Sequence, residues 1–195
     1  MKVNKTQYLT KVGLLTAVSV ILMFFEVPVP MMPVFLKLDI SELPAVIGAF
    51  MLGPVAGILI ELIKNLIHAM HSQTVGIGEL ANFLVGVALL LPASWLYRKN
   101  TSYAGAVVAL TVGTVSMALV ASVLNYFVLI PLYQMVIHFP QEKMISLGTA
   151  ANPRITDLVS FITLAIAPFN VLKGMVVSLF TMLLYKKLLP ILQER

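Results

Sequence analysis

The chain has no cysteine, and Asp, Glu, Lys and Arg together supply only 11% of its 195 residues. Soluble globular domains carry about 25% charged residues. This shortage of charge, with 59% hydrophobic residues and a mean hydropathy of +0.98, excludes an ordinary water-soluble domain. The missing cysteines exclude disulfides, thiolate nucleophiles and Cys-ligated zinc or iron–sulfur centres, and they leave the redox compartment unread. There is no G-x-x-x-x-G-K-[ST] phosphate loop. No H-E-x-x-H motif, Ser–His pair or pair of catalytic carboxylates stands out, so the sequence offers none of the groups an intramembrane enzyme needs. Fixed-period repeats, low-complexity tracts and soluble linkers are also absent. The net charge of +5 does not indicate nucleic acid, because the basic residues sit at the ends of apolar runs rather than in one patch or stripe.

What is present is a series of long apolar runs. A spanning helix uses about 20 residues, so a chain of this length holds roughly six with short connections. The expected fold is an all-α membrane protein, a single membrane domain of six transmembrane helices over residues 1–195. The first helix, at about 9–25, follows Lys2, Lys5 and Lys11 and lacks a convincing cleavage site, so it reads as a retained span. Residues 26–42 contain Pro28, Pro30 and Pro33 with Glu26, Lys37, Asp39 and Glu42, a composition that suits an ordered outer loop. Gly53-Pro54 divides the next run into helices at about 43–53 and 54–70, since proline suits a first helical turn. A short outer loop at 71–77 leads to a fourth helix at about 78–97, which ends at Arg98-Lys99-Asn100. The fifth is expected at about 103–130, stopped or kinked by Pro131. A mixed outer loop at 132–157 contains a short helix and leads through an interfacial segment to 167. The sixth span, set off by Pro168, is expected at about 168–189.

Orientation follows the Lys and Arg residues near helix ends. With both termini cytoplasmic, Lys2, Lys5, Lys11, Arg98, Lys99, Lys186, Lys187 and Arg195 lie inside, 8 of the 13 cations, whereas Glu194 is the one acid of eight that does. The long loops then face outward.

Ionisable and carboxamide side chains within spans are functional-site candidates by default, because their insertion costs a few kcal/mol. Glu61, Lys64, Asn65 and His68 fall at i, i+3, i+4 and i+7 on one helix face. That stripe is either an ion pair packed inside protein or the lining of a polar cavity. His68 and His71 make a weak metal site without a nearby acid, and no metal is expected. Glu79 and Asn82 open the fourth helix, followed by Gly86, whose missing side chain admits a ligand or a backbone. Asn125, Asn170 and Lys173 lie on the outward halves of their spans, with Asn170 and Lys173 on one face just after Pro168. Two carboxamides and an ammonium suit a planar ligand edge presenting an acceptor, a donor and an acceptor in a row. Gly13 and Ala17, like Gly53 and Gly57, stand four apart and permit close helix contact, within the chain or with another membrane protein.

Five segments carry a resemblance: F-L-K-L-D-I-S-E-L-P-A at 35–45, E-L-I-K-N at 61–65, G-E-L-A-N-F at 78–83, V-L-N-Y at 123–126 and P-F-N-V-L-K-G at 168–174. In order along nearly the whole chain, they resemble the riboflavin-specific S components, the substrate-binding subunits of energy-coupling factor (ECF) vitamin transporters. The resemblance implies a non-enzymatic six-helix binder in a prokaryotic plasma membrane, holding riboflavin near the outer face beneath the first loop. It implies that Asn125, Asn170 and Lys173 contact the isoalloxazine ring. Glu79, Asn82, Lys37 and Asp39 are the expected partners of the ribityl hydroxyls, and Phe35, Tyr126, Tyr133 and Phe139 the expected aromatic cover. Riboflavin is then the transported ligand rather than a cofactor. The implied partners are a transmembrane coupling protein, docked on Gly13 and Ala17, and two ATP-binding-cassette ATPases that hydrolyse the ATP. An S component for FMN or another vitamin, or a structural subunit without ligand, remains the alternative.

Overall fold

The structure is a computed structural model that describes residues 4–33 and 35–193. Lys2, Glu194 and Arg195, used above for orientation, lie outside the described residues, as does the side chain of Lys186. Helix α1 spans Lys5–Met23 and is followed by a two-stranded ribbon, β1 (Val27–Pro28) and β2 (Lys37–Leu38). The strands pair antiparallel, Val27 opposite Leu38 and Pro28 opposite Lys37, which folds the first loop back on itself. Helices α2 (Glu42–Leu52) and α3 (Pro54–Ala69) form a hairpin, and α4 spans Ile77–Lys99. The chain continues through α5 (Tyr103–Ile137), α6 (Gln141–Ala151) and α7 (158–193).

The described residues thus hold seven continuous helices, the short α6 being the one expected inside the 132–157 loop, and both prolines expected to stop or set off spans lie inside helices instead. Each follows a π-helical turn, Asn125–Leu129 in α5 and Ile162–Ile166 in α7, where the N–H of Ile130 reaches the carbonyl of Asn125 and that of Ala167 the carbonyl of Ile162. An α-helical proline orphans one carbonyl and its ring strikes the preceding turn. One extra residue in that turn relieves the clash and pairs the backbone locally, the kind of adjustment that lets membrane helices carry proline. Helix α5 therefore runs on to Ile137, where His138 adopts a left-handed conformation (φ 51°), and the sixth expected span begins ten residues earlier, at Leu158.

Gly53 separates α2 from α3 at φ 105°, a conformation strained for any residue with a Cβ, and Pro54 starts the next helix. Helix α4 lies between α3 and α5, α5 packs on α7, and α1 covers the α2–α3 hairpin. The core along these contacts includes Phe50, Ile60, Leu89, Leu110 and Met117, with Phe50 stacked on Tyr97 at 4.1 Å. Four helical stretches, Lys5–Met23, Ile77–Lys99, Tyr103–Ile137 and Leu158–Tyr185, are long and apolar enough to cross a membrane, while α2 is apolar but short. Their exposed surface is rich in Leu, Val, Ile and Phe, as lipid contact requires.

At the α3–α4 contact, Gly86 makes room for a charge. A Cβ there would lie 2.7 Å from Glu61 Oε2. The Gly86→Ala variant should therefore lose about 1–3 kcal/mol through overpacking, read as a lower melting temperature in detergent, while Gly13→Ala, whose Cβ would meet nothing within 4 Å, should melt as wild type.

Candidate functional site

A cavity of about 840 Å³ opens between the loop before α2 and helices α1, α4, α5 and α7. That volume lies in the range of small-molecule sites. Its walls are apolar over much of their area, with Met117, Ile166, Phe161 and Phe169 among the lining residues. The sequence motifs converge here. Asn82, Asn125, Asn170, Lys173, Glu79, Asp39, Lys37 and Phe35 all line the cavity, as do Tyr133 and Phe139. Tyr126 does not: it is exposed and stands edge-on to Phe127 at 4.8 Å. Successive helical residues point about 100° apart, so the backbone that turns Asn125 inward turns Tyr126 outward.

The two carboxamides are held by their own helices. Asn125 Nδ2 donates to the carbonyl of Ala121 and Asn170 Nδ2 to that of Ile166, both at 2.8 Å. Each thus sits against its helix beside a π turn, Asn125 as the first residue of one and Asn170 bonded to the last residue of the other.

Lys173 is fully paired. Its Nζ lies 2.8 Å from Asp39 Oδ2 and 2.9 Å from Glu42 Oε1, and Asn82, with Nδ2 toward Glu42 Oε1 (3.0 Å), offers it Oδ1 at 3.3 Å. An ammonium has three donors, and these contacts occupy them. Asp39 also accepts from the Ser41 N–H at 2.8 Å. Burial alone would raise the Asp39 pKa, but Lys173 and Lys64, with the donors on its oxygens, hold it well below the ordinary carboxylate range. Asp39 is therefore a tie between the loop and α7, rather than the free ribityl partner expected from the sequence.

Behind this wall, Lys64 contacts Glu42 Oε1 at 3.3 Å, Glu61 Oε2 at 3.0 Å and Ser41 Oγ at 2.9 Å. The stripe expected on α3 thus splits. Glu61, Lys64 and Asn65 are buried and lie outside the cavity lining, whereas His68 lines it. Gly86 backs onto Glu61, so its open space admits a neighbouring side chain instead of a ligand. At the rim, Lys37 is ion-paired with Glu26. His68 Nδ1 lies 2.9 Å from Glu79 Oε1, and Ser72 donates to Glu79 Oε2 at 2.7 Å. The histidine therefore does have an acid beside it, across the α3–α4 turn. Among the described residues no group of three metal-ligating side chains forms.

Sequence reasoning did not select Glu42 for the site, and it offered His68 only as one member of the α3 stripe, without its link to Glu79. Glu42 stood among the loop acids, and its only signal was a carboxylate in the first turn of α2 directly after Ser41. The partner of His68 is eleven residues away in another helix, a separation that helical periodicity does not bridge.

A half-open cavity with largely apolar walls and a set of polar side chains, inside a bundle of membrane-length helices, defines a membrane-embedded binder of a small organic molecule. The chain belongs to the ECF transporter substrate-specific component family, whose family model matches residues 7–185. It is similar to the riboflavin transporter RibU of Staphylococcus aureus (strain TCH60), 36% identical over 194 residues, covering 100% of this chain and 96% of that one. The riboflavin transporter FmnP of Bacillus subtilis (strain 168) is 34% identical over 198 residues, covering 100% and 97%. A solved S component of a bacterial ECF transporter superposes with a TM-score of 0.77 at 34% identity, covering 98% of this chain and 100% of that one. The protein is thus a multi-pass membrane transport subunit and not an enzyme.

The Asp39 geometry sets an acid limit. A depressed folded-state pKa contributes stability that is complete above the unfolded value, near pH 4, and lost as pH falls through the folded value. The Asp39→Asn variant should be less stable than wild type by about 1–3 kcal/mol at neutral pH, and the gap should narrow below about pH 4. Thermal melts across pH check both.

Proposed function

We propose that this chain is the riboflavin-binding S component of an ECF-type uptake system. The carrying observation is the convergence of Asn82, Asn125, Asn170, Lys173 and Glu42 on one face of a cavity otherwise apolar enough for a tricyclic ring. The pyrimidine edge of isoalloxazine presents an acceptor, a donor and an acceptor, which this face of carboxamides, an ammonium and a carboxylate matches. Met117, Phe161 and Phe169 supply apolar area for the ring. The ribityl chain runs toward the rim, where Glu79 and Lys37 offer partners for its hydroxyls. The names of the relatives support the same ligand.

The cavity faces outward. The last turn of α1 (Met23) and the first turns of α4 (Gly78, Glu79, Asn82) line it, while Lys5, Lys11, Arg98 and Lys99 lie toward the opposite ends of those helices. A helix of 19 residues is roughly 28 Å long, about the thickness of the hydrocarbon layer. Lys99 lies 3.4 Å above the exposed Trp95 ring, an aromatic–cation pair suited to an interface. By the positive-inside rule that basic side is cytoplasmic, with both termini on it. Gly13 and Ala17 are exposed on α1 and form the face that docks on the transmembrane coupling protein. ATP hydrolysis belongs to two ABC ATPases bound to that partner.

Purified protein should quench riboflavin fluorescence with roughly equimolar saturation. The Asn170→Ala variant should bind at least tenfold more weakly, about 1.4 kcal/mol, while Tyr126→Ala, outside the cavity, should bind as wild type. Competition by FMN, thiamine and biotin assigns the ligand, and failure of well-folded wild type to quench riboflavin would remove the reading.

A further inference from the structure

The buried cluster reaches beyond the cavity wall. Asp39, Glu42 and Lys173 line the cavity, whereas Lys64 and Glu61 are wholly buried and lie outside that lining. The two halves meet at Glu42. Its Oε1 takes Lys64 at 3.3 Å from α3, Lys173 at 2.9 Å from α7 and Asn82 Nδ2 at 3.0 Å from α4. Its Oε2 is buried and has no partner. Three donors from three helices on one oxygen fix the carboxylate's rotation and leave the second oxygen for something else. A buried carboxylate oxygen without a donor is costly, and Glu42 lines the cavity.

We propose that Lys64 is a positioning residue for ligand binding: from behind the wall it fixes the Glu42 carboxylate, so that Oε2 is held as the acceptor for the imide N–H of the bound flavin. This rests on the riboflavin reading above. Lys64 has no other freedom in which to act. Its three donors are occupied by Glu42, Glu61 and Ser41, and its ammonium is 0% exposed. Glu42 lies between two ammoniums, and removing Lys64 leaves the carboxylate held from the α4 and α7 side only, by Asn82 and Lys173. The flavin imide places one donor between two acceptors. Glu42 Oε2 answers the donor, and the second N–H of Asn125 and of Asn170, each carboxamide giving its first to its own helix, faces the acceptors.

The test separates position from charge balance. Removing Lys64 alone unbalances the cluster, so the informative variant is Lys64→Met with Glu61→Gln, which removes one cation and one anion together. Full-length protein in detergent is titrated with riboflavin and with N3-methylriboflavin, which lacks the imide donor, and melting temperatures are recorded in parallel. The expected result is a melting temperature near wild type, riboflavin affinity at least tenfold weaker, and most of the preference for riboflavin over its N3-methyl form lost. Wild-type riboflavin affinity in the folded double variant would overturn the proposal, since Lys64 would then only balance charge. Weaker binding with the preference intact would overturn it as well, because Glu42 would not be reading the imide. If the methionine variant does not fold, Lys64→Leu with Glu61→Gln, which likewise leaves Glu42 without a donor from position 64, is read in the same way. Wild-type protein that binds neither flavin overturns the functional reading itself, a result distinct from failure of the variants alone.

Discussion

Five charged side chains, Asp39, Glu42, Glu61, Lys64 and Lys173, share a region from which water is nearly excluded. Each ion removed from water costs several kcal/mol, and its loss is offset only when partners stand at hydrogen-bonding distance. That constraint organises the upper part of the molecule. The first loop cannot lift away from the bundle without stripping Lys173 of Asp39, and α2 cannot shift without uncovering Lys64. Ser41 reinforces the joint, since its Oγ accepts from Lys64 and its carbonyl accepts from Ser19 of α1. A segment rich in proline and poor in regular structure is thereby fixed to α1, α3 and α7 at once. The ribbon between β1 and β2 shapes the loop, but the buried charges hold it in place.

The backbone of α5 and α7 solves a second problem in the same way twice. A binding cavity inside a helical bundle needs side chains pointing inward at places where regular helices would pack closely. Each of these helices carries a π turn, a proline two residues after it and an asparagine that donates to its own helix. The two π turns also contact each other. The local widening lets a helix pass a proline without breaking, and the carboxamide is kept against the helix in one orientation, with its oxygen available. The site is thus preformed in backbone and side chain, which lowers the entropy cost of closing around a rigid planar ligand.

Much of this was legible in the sequence. Lys64 and Glu61 three apart in an apolar run require burial against protein, and the amide pair flanking two prolines marks the polar face of the cavity. What could not be read concerns contacts between distant segments. The pairing of Lys173 with Asp39 joins residues 134 apart, and Glu42 is central because of where α2 meets α4 and α7 rather than because of its neighbours in the chain. The prolines misled for a physical reason: the rule that proline ends a helix assumes 3.6 residues per turn, and a single wider turn suspends it. Tyr126 misled because an aromatic beside a site residue is drawn to the site in one dimension, whereas on a helix the neighbour of an inward residue faces out. Gly86 was read as a place where a ligand or a backbone approaches, but the approaching group is the Glu61 side chain.

The small residues show how packing and function divide along the chain. Gly57 is used within the protein, since a Cβ there would lie 2.8 Å from Ala49 Cβ and 2.9 Å from the Ala45 carbonyl, so the α2–α3 hairpin depends on its absence. Gly13 has no such neighbour and stands with Ala17 on an exposed face of α1. In a bilayer, apolar surface alone gives helices no reason to associate, and close backbone approach is what small residues add. A cavity end built on buried charge and a helix face of small residues thus lie on one element, because the last turn of α1 and the residue after it, Met23 and Phe24, line the cavity. A displacement of α1 along its exposed face would therefore move part of the cavity wall directly.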